Sequence, residues 1–288
     1  MPRPRGVQEF LEAKDRLLGI AYGITGDLGA AEDIVQDAWL RLNRTQDIED
    51  VTGWLVVTTS RLALDYVRSA RVRREQYVGP WLPEPLVEGP EDRVTMTESV
   101  NLAMLVVLET LSPAERTAFV LHEVFGMPFA EVAEAVGRSA AAVRQLTSRA
   151  RKHVRDRTPR FDLDHAQQKR VVDAFSQACV GGDIEGLLRL LDPEVVLKTD
   201  GGGVMKAARK PVYGADKVSR FLAGVHRAPV QFRAVQVNGW AGLLRFVDGN
   251  LHSVVALTTA NGRVTAIDMV ANPEKLTRVR ALINGEEE

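Results

Sequence analysis

The chain has 288 residues, enough for two or three domains that each bury a core, and its 45% hydrophobic and 26% charged residues match an ordinary soluble protein. The formal net charge is −1, so any affinity for nucleic acid has to sit in local patches, which argues against a protein that grips DNA tightly by itself. The single cysteine, Cys179, excludes an internal disulfide and a multi-cysteine metal site, and its place in an apolar helical pattern suits a small buried hydrophobe.

Residues 7–24 carry Phe10, Leu11, Leu17, Leu18, Ala21 and Tyr22 at helical spacing, stopped by Thr25-Gly26-Asp27. A second helix is predicted over 30–42, with Ile34, Val35, Ala38 and Leu42 as its apolar stripe. Its other face carries Glu32, Asp33, Gln36, Asp37 and Arg41, either a solvated surface or a dock for a basic partner. After a polar loop, 46–52, Gly53-Trp54-Leu55 opens a third helix to about residue 71. Its second half is basic, with Ser60, Arg61, Asp65, Arg68, Arg71, Arg73 and Arg74. These suit a DNA strand, and equally a solvated helix end.

Residues 79–86 hold Pro80, Pro83 and Pro85 and cannot be helix or central strand. Gly89-Pro90 extends the break, so 79–97 reads as a linker, although Trp81, Leu82 and Leu86 need a surface to cover. An apolar helix is predicted over 100–111. Ser112-Pro113 with Glu115 is a capping box with proline at N1, and the helix it starts is expected to run to Phe125. Residues 127–153 read as a helix-turn-helix. Helix 129–136 turns Val132, Ala133 and Val136 inward, Gly137 makes the turn, and Ser139 caps helix 140–153. Val143, Leu146 and Ala150 should face inward, and Ala141, Arg144, Gln145, Ser148 and Lys152 outward. Arg and Gln beginning near a helix N-terminus suit guanine and adenine edges in a major groove, and Arg149, Arg151, Lys152, Arg155 and Arg157 suit phosphates.

The runs AEDIVQDAWLRL (31–42) and GWLVVTTSRLALDYVRSARVRR (53–74), followed by the helix-turn-helix, resemble a bacterial sigma factor of the extracytoplasmic-function (ECF) type over about residues 7–158. The resemblance implies a region-2 domain (1–78) and a region-4 domain (98–160). Asp33, Gln36, Asp37 and Arg41 would dock on the β′ clamp helices of RNA polymerase core. The 46–52 loop with Ser60, Arg61, Asp65, Arg68 and Arg71 would recognise and open the promoter −10 element. Region 4 would sit near the β flap and read the −35 element through Ser139, Arg144, Gln145, Ser148, Arg149 and Lys152. WLPEP (Trp81, Leu82, Pro83, Glu84, Pro85) resembles the linker motif of the subgroup with a fused C-terminal domain.

Thr158-Pro159 ends the last helix and 161–164 is a short connector. From 165 the pattern changes. Helices are predicted over 165–180, 184–191 and 215–225, with strands at 195–197, 230–237, 243–247, 251–259 and 264–270. Asp248-Gly249-Asn250 and Asn261-Gly262 make hairpin turns. Helices followed by a curved antiparallel sheet give an α+β cone, resembling the SnoaL-like, or nuclear-transport-factor-2-like, fold over about 166–273. The expected chain is thus multidomain: two all-α domains, then an α+β cone (165–288). Asp200, His252 and Asp268 are candidate acid/base groups if the cone is an enzyme. Asp200-Gly201-Gly202-Gly203 and Asn272-Pro273-Glu274-Lys275-Leu276, the latter similar to the subgroup's NPDKL with Glu for Asp, imply a regulatory surface. No cofactor, metal or catalytic residue is expected. The partners implied are polymerase core and promoter DNA, with any ligand of the cone unspecified. No apolar run reaches the roughly 18 residues of a membrane helix and the N-terminus lacks a leader pattern, so a cytoplasmic protein without membrane partner is expected. The alternatives are a polymerase-independent helix-turn-helix regulator, and a SnoaL-like enzyme or ligand sensor with a DNA-binding appendage.

Overall fold

The computed structural model describes residues 6–74, 77–87, 102–157, 164–224 and 230–285, and for 71–74 the backbone alone. The start of the predicted 100–111 helix, linker residues 88–97, Thr158-Pro159 and 161–163 lie outside these, as does the end of the predicted 215–225 helix. The chain divides into two compact units. One comprises Met1–Glu75, Val94–Val100 and Met104–Arg157; the other comprises Gln76–Arg93, Asn101–Ala103 and Thr158–Glu288. Among the described residues no helix is long and apolar enough to cross a membrane.

The first unit is helical. Helices α1 (Val7–Thr25), α2 (Leu28–Leu42) and α3 (Val51–Arg74) pack their apolar stripes together around Leu17, Ile20, Ile34, Val35, Leu55 and Leu64. Gly26 ends α1 at φ 67°, returning its N–H to the Tyr22 carbonyl, and the Asp27 side chain accepts from Ala30 N at 2.9 Å to start α2. Helix α4 (Leu102–Leu108) precedes the Ser112 capping box of α5 (Pro113–Phe119). The expected continuous helix to Phe125 changes at Val120–Val124 to a wider π turn, with Phe125 N donating to Val120 O at 3.1 Å. That turn packs on α1, where Gly19 and Gly23 leave room: a Cβ on Gly23 would sit 3.0 Å from Val120 Cγ1, and one on Gly19 3.2 Å from Phe125 Cζ. Arg116, an ordinary charged position in the sequence, is 1% exposed. It pairs with Glu109 and donates from both Nε and Nη2 to the Gly23 carbonyl at 3.3 Å, one of the last carbonyls of α1 that the helix itself leaves without a partner.

The second unit carries a six-stranded sheet in the order β2-β1-β6-β5-β4-β3. Its strands are β1 (Leu191–Asp200), β2 (Val212–Tyr213), β3 (Val230–Val237), β4 (Trp240–Val247), β5 (Asn250–Ala260) and β6 (Arg263–Val270). Helices α8 (His165–Gly181), α9 (Ile184–Leu190) and α10 (Ala215–Gly224) fill one face through Val172, Phe175, Leu187, Val218 and Leu222. This is the expected α+β cone, with corrections. The sheet is mixed: β1 runs parallel to β6, which the long intervening connection permits, while the other pairs are antiparallel. Strand β2 and the final helix α11 (Thr277–Gly285) are additions to the expected elements. Three hairpins turn on residues with positive φ: the predicted Asp248-Gly249 and Asn261-Gly262, and also Asn238-Gly239.

Candidate functional site

Helices α6 (Phe129–Val136) and α7 (Ala140–Arg157) form the helix-turn-helix. Gly137 stands at φ 69° and its N–H reaches Ala133 O at 3.0 Å, while Ser139 Oγ accepts from Ala142 N at 3.2 Å. The inward face holds Val132, Ala135 and Val136 rather than Ala133, which is half-buried. On α7 Val143, Thr147 and Ala150 are buried and Leu146 is half-buried, because a helix of 3.6 residues per turn carries position 147 into line with 143 and 150. Ser139, Arg144, Gln145, Ser148, Arg149 and Lys152 are all exposed, a continuous polar row free to meet a groove. Arg144 lies over the Phe129 ring at 5.2 Å, and Arg151 forks onto Glu123 at 3.1 and 2.5 Å, steadying the row from both sides.

On α3 Arg61, Asp65 and Arg68 are exposed. Ser60 is a correction: it is fully buried, and its hydroxyl donates to Val56 O at 2.7 Å, so it is not available to DNA. The Arg71, Arg73 and Arg74 side chains lie outside the described residues. Arg68 pairs with Asp65 at 3.0 Å, and Arg61 Nη2 reaches Glu134 O of α6 at 3.0 Å, so one candidate −10 residue is held by the helix-turn-helix in this form. Asp33, Gln36, Asp37 and Arg41 line the exposed face of α2. Asp27, Asp33, Gln36, Asp37, exposed Leu40 and Tyr66 enclose a shallow acidic groove there.

In the second unit the linker and both C-terminal motifs meet on one carboxylate. Asp200 ends β1 and is fully buried. Its Oδ1 accepts from Tyr77 Oη at 2.5 Å and from Gly202 N at 3.0 Å; its Oδ2 accepts from Leu82 N at 2.9 Å and pairs with Lys275 Nζ at 2.7 Å. Lys275 also donates to Leu82 O and lies 3.8 Å from the Trp81 ring centroid. Asn272 Nδ2 donates to Tyr77 Oη at 2.9 Å, and burial with the nearby Asp200 charge pushes the Tyr77 phenol well above its ordinary range. Gly202, at φ 66°, passes so close that a Cβ would lie 2.6 Å from Asn272 Cγ. Leu82 and Leu276 are buried, as is Pro83, and the exposed Glu274 side chain accommodates the Glu-for-Asp difference. Beyond Leu82, Glu84 faces Arg278 at 3.6 Å, and Leu86 exchanges two hydrogen bonds with Asn238, 3.1 and 2.7 Å. Tyr77 and Arg278 carried no expectation from the sequence.

No hydrogen bond or ion pair joins the three candidate acid/base groups to one another among the described residues. Asp200 is committed to the linker. Asp268, opposite Lys198 and Ala256, alternates away from the core positions Ile267 and Met269, and burial pushes its carboxyl up to about 6 against the pull of Lys198. His252 sits in β5 beside Arg245. The described residues include no cluster of His, Cys, Asp and Glu able to hold a metal ion.

Residues 10–73 match the family model for Sigma-70 region 2, and residues 101–154 that for Sigma-70, region 4. The chain is 43% identical over 291 residues to the ECF RNA polymerase sigma factor SigJ of Mycobacterium tuberculosis (strain ATCC 25618 / H37Rv), covering 94% of this chain and 93% of that protein. It is 40% identical over 279 residues to a probable ECF RNA polymerase sigma factor SigI of the same species, covering 93% and 94%. The crystal structure of the Mycobacterium tuberculosis ECF sigma factor SigJ superposes with a TM-score of 0.78 at 40% identity, over 94% of this chain and 98% of that one.

Proposed function

The chain belongs to the ECF RNA polymerase sigma factors, and from that premise we propose a division of labour among its parts. Residues 1–78 dock on polymerase core through Asp33, Gln36, Asp37 and Arg41, on the β′ clamp helices. They engage the −10 element through Arg61, Asp65, Arg68 and Arg71. Residues 98–160 sit near the β flap and read the −35 element, with Arg144 and Gln145 on base edges and Arg149 and Lys152 on phosphates. The exposed row on α7 supports this reading. The protein works in the cytoplasm, and residues 165–288 regulate rather than catalyse.

The observation that carries the regulatory reading is the Asp200 clasp, in which the linker's Tyr77 and Leu82 and the C-terminal Lys275 share one buried carboxylate. A linker held in this way fixes the path of the chain between regions 2 and 4. Elements centred ten and thirty-five base pairs before the start are about 25 pairs, or roughly 85 Å, apart at about 3.4 Å per pair. Helix α3, the longest of the first unit, has 24 residues and spans only about 36 Å. On this reading the two helical regions, tied by Arg116 and Arg61 in this form, part on the promoter. Run-off transcription with purified polymerase core, comparing the full chain with versions ending near Asp164 and near Ala271, tests the reading. Core-dependent initiation with different yields from the three supports it. Equal yields remove the regulatory role, and a DNA shift without core and without initiation favours a polymerase-independent regulator.

A further inference from the structure

Arg245 is buried in the core face of the cone without a counter-charge. It is 3% exposed, on the same face of β4 as Leu243. Its one polar contact among the described residues is from Nη1 to His252 Nδ1, at 2.9 Å, and no carboxylate lies within ion-pair range. Arg116, the other deeply buried arginine among the described residues, has Glu109. The remaining donors of Arg245 make no hydrogen bond among the described residues and are not sealed from solvent, so they are open to an acceptor.

A second, independent feature lies directly across the strand pair. Ser253 is Arg245's partner in the β4–β5 register; it is fully buried, and its Oγ has no hydrogen-bond partner. The register then slips from Arg245↔Ser253 to Phe246↔Leu251, so His252 is the extra residue of a bulge, and its ring turns to the guanidinium. Burial and the Arg245 charge both lower the His252 pKa, so the ring is neutral and Nδ1 accepts. The pocket that Arg245 enters is otherwise apolar, walled by Phe175, Phe221, Leu222, Phe232, Val255 and Met269. The pocket is nearly filled by its own walls, with a cavity of only about 10 Å³, and Phe221 and Phe232 are half-buried, so a ligand enters by displacing these two rings.

We infer that this pocket is a binding site for a small organic monocarboxylate, whose two oxygens take the Arg245 fork and the Ser253 hydroxyl while its apolar body lies among the phenylalanines. A planar guanidinium fits a carboxylate with two parallel bonds, and the apolar walls exclude the water that would compete. The inference does not depend on the sigma-factor reading.

The test is calorimetric titration of the full chain with benzoate, phenylacetate and octanoate, with benzyl alcohol as the neutral counterpart of benzoate. At least one acid is expected to bind, with benzyl alcohol at least tenfold weaker than benzoate if benzoate is that acid. Arg245→Met should lower the acid's affinity at least tenfold while leaving the melting temperature unchanged or raised, because it removes a buried unpaired charge. Ser253→Ala, which leaves the charge in place, should lower it at least threefold with no change in melting; should the Arg245 variant not fold, this variant and the acid–alcohol pair decide. Failure of all three acids to bind, equal binding of benzoate and benzyl alcohol, or unchanged affinity in Ser253→Ala or in a folded Arg245→Met chain overturns the inference.

Discussion

Asp268 shows how a single buried group sets a pH dependence. Burial pushes its carboxyl up to about 6 from an ordinary 3.8, so the folded state holds its proton more tightly than the unfolded chain does. Such a group costs nothing below pH 4; stability falls as pH rises from about 4 to 6 and stays lower above that. Asp268→Asn should therefore melt like the parent near pH 4 and be more stable at pH 8, by as much as about 3 kcal/mol. Melting curves across that range check it, and a constant difference would assign the effect to packing. Gly202 makes a second case. Alanine there meets both a positive φ and Asn272, whereas Gly249, at φ 76°, has nothing within 4 Å of its would-be Cβ. Gly249→Ala should cost about 1 kcal/mol and Gly202→Ala at least about 2, the difference in denaturation midpoint measuring the close approach.

At the scale of elements, local chemistry was readable and long-range pairing was not. Gly137, Ser139 and the α7 row follow from caps and a period of 3.6, and Asp248-Gly249 and Asn261-Gly262 announce their hairpins. Asn238-Gly239 carries the same signal but is hidden because the next strand is expected only from 243, whereas β4 begins at Trp240. Ser60 departs from expectation because hydroxyl side chains suit DNA and helix interiors alike; its burial is set by the packing of α3 within the first unit. The resemblance named the DGGG, WLPEP and NPEKL segments. Nothing local says that Tyr77 and Asp200, 123 residues apart, share a hydrogen bond, nor that β1 pairs parallel with β6. For α7 the expectation is direct. Arg144→Ala and Gln145→Ala should each reduce initiation from a cognate promoter by about tenfold, through the roughly 1–3 kcal/mol of a base contact, and relax the sequence preference at one position. Lys152→Ala should weaken all sequences alike and flatten the salt dependence. Footprinting on promoter variants separates the two.

At the scale of the whole molecule, the first unit joins regions that the sequence presents as separate domains. Arg116 brings a charge from α5 to the end of α1, where Gly19 and Gly23 admit Phe125 and Val120. Removing one member of a buried charge pair leaves the other uncompensated, so Arg116→Ala should lower the stability of this unit by about 3 kcal/mol and raise amide exchange over residues 19–25. An unchanged denaturation midpoint and exchange pattern would mean that the two regions are held by other contacts. A net charge of −1 fits the same picture: the positive residues proposed to meet DNA lie on α3 and α7 and are balanced by acidic faces such as that of α2.

The clasp at Asp200 carries its own chromophore. The Lys275 ammonium rests 3.8 Å from the centre of the Trp81 indole, and an indole's emission responds to a neighbouring charge and to contact with water. The other tryptophans, Trp39, Trp54 and Trp240, sit outside the clasp and can be replaced by phenylalanine. A chain with Trp81 alone would then report by its colour and brightness, without any attached label, whether the linker is seated or released as polymerase and promoter are added.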